Sequence, residues 1–115
     1  MNKVEAIIRP ESFQKLRQAL LGLGVRGMTV SEVAGFGLQK GQTGVFRGSV
    51  FEMQFLPKVK VELVIEESRV DAVIEAIRSS CATGKVGDGK IFVYPVEDAV
   101  RIRTGEQGLE ALTGE

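Results

Sequence analysis

The sequence has no histidine and no tryptophan, a single cysteine (Cys81), a single tyrosine (Tyr94) and three prolines in 115 residues. Without histidine the chain lacks the side chain that most often serves as general base, as the base of a catalytic triad and as a zinc ligand. One cysteine cannot close a disulfide within the chain, and its place in a helical pattern points to a small buried apolar residue. No run approaches the ~20 apolar residues that cross a bilayer. The opening MNKVEAIIRP has neither the apolar core nor the cleavage site of a secretory signal, so a cytoplasmic setting is expected. Net charge is missing as well, because fifteen basic residues balance fifteen acidic ones. No summed field then attracts nucleic acid or an anionic membrane, and any anion site has to be local.

What is present is strong periodicity. Residues 1–115 are expected to form one domain, large enough to bury roughly two-thirds of the unfolded surface. Residues 3–9 (KVEAIIR) are β-branched and apolar and end at Pro10, which predicts a strand and a break. From Ser12 the apolar residues Phe13, Leu16, Leu20 and Leu23 recur at helical spacing until Gly22 and Gly24. MTVSEVAGF predicts a second strand. Residues 58–66 (KVKVELVIE) alternate, with Val59, Val61, Leu63 and Ile65 on one side and Lys58, Lys60, Glu62 and Val64 on the other. Ser68 and Asp71 have capping-box spacing ahead of Val70, Val73, Ile74 and Ile77, which predicts a second amphipathic helix to about Ala82. Residues 90–96 give a last strand. The order describes an α+β fold of the ferredoxin-like split βαβ kind (βαββαβ), with both helices on one face of an antiparallel sheet.

Between the second and third strands, GLQKGQTGVFRGSVFEMQ is far longer than the roughly two to five residues a hairpin needs. It holds Phe46 and Phe51, which call for a partner or for packing on the body. The alternative is a β-ribbon extension with internally packed aromatics.

Several short patterns bear on chemistry. In GKVGDGKIFV (84–93) the amides of Gly87, Asp88 and Gly89 and the ammonium of Lys90 suit a polyphosphate. The spacing Gly84 to Gly89-Lys90 satisfies most of a P-loop, but Ile91 stands where Ser or Thr would hold magnesium, and a strand follows where a helix is required. Gly22, Gly24 and Gly27 match G-x-G-x-x-G, yet they follow a helix and precede a strand, so a helix stop and turn is expected. Arg101 and Arg103 lie two apart. On an extended chain both guanidinium groups project from one side, which suits phosphate oxygens. A charged edge strand is the alternative. Asp88, Glu62 and Lys58 could form an acid-base group, but no activated nucleophile stands beside a base. A binding module, and not an enzyme, is expected. RNA-recognition domains share this element order, and IFVYPV supplies Phe92 and Tyr94, but the neutral charge argues against nucleic acid.

Taken together, GMTVSEVAGFG, QKGQT, FRGS, FLPKVKVE, TGKVGDGKIFV and VRIRTGE resemble the PII nitrogen-regulatory signal transducers, from Lys3 to about Glu106. The resemblance implies a homotrimer with ATP/ADP sites in the clefts between neighbours and a long T-loop at about 37–55. It implies that Gly27, Met28, Thr29, Gly37, Val64 and the Gly87-Asp88-Gly89-Lys90 turn line one wall of the nucleotide site. Arg101 and Arg103 would reach the phosphates from the adjacent subunit. Gln39 would hold a magnesium ion together with ATP and the effector 2-oxoglutarate, and Lys58 would pair with a 2-oxoglutarate carboxylate. Magnesium suits such a site, since it prefers phosphate and a few oxygen ligands to a complete protein cage.

The departures from the family pattern are specific. Leu38 stands where an arginine usually approaches the terminal phosphate of ATP, a loss worth on the order of 1.5 to 3 kcal/mol. Phe51 replaces a tyrosine that many bacterial members carry uridylylated or adenylylated, so that switch is absent. Ser49 matches a serine phosphorylated in cyanobacterial relatives, and is also an ordinary loop residue. Gly44 and Ala34 stand where charged residues are common. Arg47 matches a loop-tip arginine that plugs an ammonium channel in several relatives. The partners implied, through Phe46, Arg47, Ser49 and Phe51, are an ammonium channel or a metabolic enzyme or regulator, with a membrane reached only through a channel. The alternative is a divergent paralogue that senses adenine nucleotides with a different small ligand.

Overall fold

The computed structural model describes residues 1–40 and 51–113, with side chains described at 1–35 and 55–113. The elements are β1 (Asn2–Ile8), α1 (Phe13–Gly22), β2 (Thr29–Lys40), β3 (Phe51–Ile65), α2 (Val70–Cys81), β4 (Lys90–Pro95) and a short α3 (Leu109–Leu112). The strands form one sheet in the order β2-β3-β1-β4, every pair antiparallel. This is the ferredoxin-like α+β arrangement expected, with α3 as an addition.

Alternation decides the two faces. Val4, Ala6 and Ile8 lie opposite Leu63, Val61 and Val59, and all six are buried with Leu16, Leu20, Val73, Ile77 and Cys81 in one core. The helices therefore cover one face, as the apolar stripes of both predict. Burial pushes the Cys81 thiol up from its ordinary value, consistent with an apolar packing role. No helix among the described residues is long and apolar enough to cross a membrane.

Helix ends differ in how they are made. α1 closes with a Schellman motif: Val25 N donates to Leu20 O at 3.0 Å and Gly24 N to Leu21 O at 2.9 Å, with Gly24 at φ +82. Val25 and Leu20, both buried, supply the apolar contact of the motif. The G-x-G-x-x-G match is thus a helix stop. At the start of α2 the capping box does not form. A 3-10 turn, Glu67–Arg69, precedes the helix, its N-cap is Arg69, and no side chain caps it. Ser68 already lies inside the turn, so its hydroxyl is not at the cap position.

The long connection is shorter than predicted. β2 and β3 pair continuously from Thr29↔Glu62 to Lys40↔Phe51. β1 stops pairing with β3 at Val59, so outward from Lys58 the described residues form a two-stranded ribbon. Residues 37–40 and 51–55, expected in the loop, are strand: the register set by the inner pairs carries outward although Gly35 and Gly37 erase the apolar alternation. Phe46, Arg47 and Ser49 lie outside the described residues.

Candidate functional site at two ends of one sheet

The functional side chains fall into two groups. One surrounds the turn before β4. Register places Lys90 opposite Ile7, Ile8 opposite Val59 and Lys58 opposite Val33, so the turn and Lys58 share one end of the sheet. Asp88 organises the turn. Its Oδ2 accepts from the amides of Thr83 at 2.7 Å and Gly84 at 2.9 Å, and its Oδ1 accepts from the Thr83 hydroxyl and pairs with Arg9. Arg9 also donates to Val86 O at 2.8 Å and to Thr83 Oγ1 at 3.3 Å. The Thr83 donors, then Arg9, hold the Asp88 carboxyl below the usual carboxylate range. Lys58 Nζ donates to Gly87 O at 2.7 Å.

Glycine is required in this turn for two separate reasons. Gly87 and Gly89 have φ of +103 and +105, which side chains rarely adopt. A Cβ on Gly89 would overlap the carbonyl oxygen of Ile7, while one on Gly87 would stand 3.0 Å from Arg9 Nη2 and 3.8 Å from Lys58 Nζ. The bare side of Gly87 thus faces two cations, a setting that fits a carboxylate or phosphate oxygen.

The second group bounds a cavity of about 1170 Å³ lined by Gly24–Gly27, Val64–Glu66, Arg69, Arg101 and Ala111–Thr113. It lies where β3 ends, about 20 Å of extended strand from Lys58. Three arginines, Arg26, Arg69 and Arg101, meet apolar residues there. Arg69 donates to Leu23 O and so ties the start of α2 to the end of α1.

This partition changes the expected grouping. Gly27 and Val64 share a cavity with Arg101 of the same chain, while the Gly87–Lys90 turn lies at the other end of the sheet. Met28 packs against the core, and Thr29 opens β2 beside Gly27. The extended segment assumed for Arg101 and Arg103 is a turn. Residues 102–104 bend, Gly105 N donates to Arg101 O at 2.7 Å, and Val100 pairs with Gln107. An edge strand is excluded with it. Asp88, Glu62 and Lys58 do not meet: Glu62 accepts from Lys3 at 2.9 Å, and Asp88 and Lys58 hold the turn.

The helix-free face carries Lys3, Glu5, Lys60, Glu62, Phe92 and Tyr94 in register. Lys3 lies 4.8 Å over the Tyr94 ring. Its hydrogen bond to Glu62 raises the Lys3 pKa and lowers that of Glu62. The aromatics sit on an edge strand beside two carboxylates, unlike the aromatic central strands that stack RNA bases.

Gly37, Leu38 and Gln39 follow one another in the ribbon, Gly37 opposite Gln54, Leu38 opposite Met53 and Gln39 opposite Glu52. Phe51 pairs with Lys40. Among the described residues no cluster of three or more His, Cys, Asp or Glu could hold a metal. An ion held chiefly by phosphate would not require one.

Sequence reasoning missed Arg9, Thr83, Arg26, Arg69 and the tail from Ala111 to Thr113. Thr83 carries a weak local signal, since it precedes Gly84 and stands five residues before the carboxylate it meets. Arg9, Arg69 and the tail act through contacts with residues well removed in sequence, and Arg26 is marked only by its place in the cavity wall.

Comparison with known proteins agrees with the geometry. The family described as "Nitrogen regulatory protein P-II" matches residues 1–106. A nitrogen regulatory protein P-II of Rhodospirillum rubrum is 53% identical over 112 residues, covering 97% of this chain and all of that protein. One from Microchaete diplosiphon is 55% identical with the same coverage. The solved structure of B. subtilis GlnK superposes with a TM-score of 0.82 at 45% identity, covering 96% of this chain and 97% of that one. With its split βαβ sheet, its glycine turn and its matching length, the chain belongs to the nitrogen regulatory protein P-II family.

Proposed function

We propose that the protein is a cytoplasmic homotrimeric sensor, one PII-type domain per chain, that binds ATP or ADP in the clefts between subunits. The observation carrying this reading is the division of anion-suited groups between two ends of one sheet. Two different patches on the same chain are what a ring needs when it closes head to tail, one patch of each subunit meeting the other patch of the next. The cleft then receives Gly87–Lys90 and Lys58 from one subunit and Arg101 and Arg103 from its neighbour. Gly27 and Val64 share the cavity with Arg101, and Met28 and Thr29 follow Gly27 in the chain, so all four would come from the neighbour too. The helix-free face, with Phe92 43% and Tyr94 40% exposed, supplies apolar area for the contact.

Lys58, at the base of the ribbon, takes a carboxylate of 2-oxoglutarate, and Gln39 is the residue that would hold magnesium when ATP is bound. Magnesium would neutralise phosphate charge there and orient the effector. Lys58 now bonds Gly87 O, so a carboxylate that draws Lys58 away also acts on the glycine turn. The output is a change in the segment 37–55, through which Phe46, Arg47, Ser49 and Phe51 contact a channel, enzyme or regulator. Catalysis is not part of this reading.

Titration calorimetry with magnesium-ATP, with and without 2-oxoglutarate, tests it. Binding of nucleotide near one per chain, with affinity raised by the metabolite, is expected. Absence of nucleotide binding rejects the sensor. Nucleotide binding without coupling transfers the weight to the reading in which another small ligand replaces 2-oxoglutarate, which Leu38 favours. Mass measurement in solution checks the trimer.

A further inference from the structure

Arg101 is heavily committed within its own chain. Nη1 pairs with the Glu106 carboxylate, and Nη2 donates to the carbonyls of Glu110 at 3.1 Å, Ala111 at 3.4 Å and Thr113. The side chain is only 16% exposed. Glu106 is itself fixed, accepting from the Thr104 hydroxyl at 2.8 Å while its carbonyl accepts from Arg101 N at 2.8 Å. The carbonyls that converge on Arg101 come from the C-terminal end of α3 and the residue after it, where a cation is favoured. A four-residue helix has no stability of its own, so α3 depends on this contact. Ala111, Leu112 and Thr113 in turn line the cavity that holds Val64 and Gly27.

We infer that the segment Leu109–Thr113 is a strap which Arg101 holds against the cavity, and that a polyphosphate taking Arg101 releases it. The inference rests on the proposed reading in which Arg101 meets phosphate. The carbonyls occupy the donors that phosphate oxygens would use, and neutral carbonyls are weaker acceptors than anionic oxygens. Phosphate binding and strap docking therefore compete for one guanidinium. The nucleotide is reported at a second place on the surface, the strap, besides the ribbon.

Hydrogen exchange on the full chain, with magnesium-ATP and with adenosine as separate probes, tests the strap. Faster exchange at the amides of Ala111 and Thr113 is expected with ATP and no change with adenosine, which lacks phosphate. ATP that binds by calorimetry while these amides stay protected overturns the strap and leaves the nucleotide reading standing. Absence of ATP binding overturns both. A chain ending at Gly108 gives an independent readout. Its ATP dissociation constant should fall roughly three- to tenfold, as expected when a competing closed state is removed. An unchanged or higher constant rejects the competition.

Discussion

At the turn end of the sheet, residues 83–90 are fixed from three directions: Asp88 gathers Thr83 and Gly84 from within, Arg9 reaches in from the end of β1, and Lys58 holds Gly87 O from β3. At the cavity end the walls are separate pieces, the Schellman turn of α1, the end of β3, the start of α2 and the tail, joined by Arg69 and Arg101. One end is a preformed cradle in which backbone and charge agree on a single conformation. The other is a space with one replaceable wall. In the proposed ring, a ligand spanning both ends would meet a fixed half and an adjustable half, so the cost of ordering would fall mainly on the adjustable one.

The sharpest contrast between the ends is in their glycines. Gly89→Ala places a methyl group into Ile7 O at φ +105, and a displaced backbone in β1 or β4 is the only relief. A loss of about 3 kcal/mol or more is expected. Gly27→Ala, with nothing within 4 Å of the new Cβ, should stay within about 0.5 kcal/mol. Chemical denaturation of the two variants checks this. Equal losses would mean that the turn is not a fixed cradle.

Lys58→Met is the next largest. It removes the donor to Gly87 O and the cation offered to a carboxylate, and loss of one charge-assisted bond costs on the order of 1.5 to 3 kcal/mol. The effect of 2-oxoglutarate on ATP affinity should fall by roughly tenfold or more, as measured by calorimetry. Retained coupling would place the effector elsewhere.

Acid separates the ends without a mutation. The Asp88 carboxyl titrates below its ordinary value near 3.8, and a group depressed on folding contributes its full stability above the ordinary value and loses it as pH falls through the folded one. The turn should therefore be constant from neutral pH to about 4 and loosen below it. Faster exchange at the Thr83 and Gly84 amides in acid, ahead of those near Arg101, is the expected sign. Asp88→Asn should show the same loosening at neutral pH.

Periodicity made much of the fold legible in the sequence. The β-branched run 3–9 ending at Pro10 and the Val59 to Ile65 alternation located two central strands, and the Leu16 and Leu20 spacing located α1, because burial on one face imposes a repeat on local sequence. The ribbon beyond Gly35 was legible only as the alternative to a loop, since paired backbone without a buried face leaves no such repeat. The site was half legible for a similar reason. Gly87 to Lys90 is a local pattern, whereas the Arg9 contact joins residues nearly eighty apart in sequence. Arg101 was visible as a phosphate candidate. Its bond to the tail was not, because main-chain carbonyls carry no signature of residue type.

The smallest effect asks whether the two ends are independent. Arg69 donates to Leu23 O, and one of its nitrogens lies 3.8 Å from where a Cβ on Gly24 would stand, so it staples α2 to the turn that ends α1. Arg69→Ala leaves that carbonyl to water and should cost about 1 kcal/mol, read by denaturation. Because the ends are separated by about 20 Å of strand, substitutions at one should add to those at the other. The amides of Thr83 and Gly84 should then keep their protection in the variant, and Arg69→Ala combined with Asp88→Asn should show the sum of the single effects. A departure from additivity would mean that the sheet transmits strain between the ends, and that a ligand at one end prepares the other before any neighbouring subunit is involved.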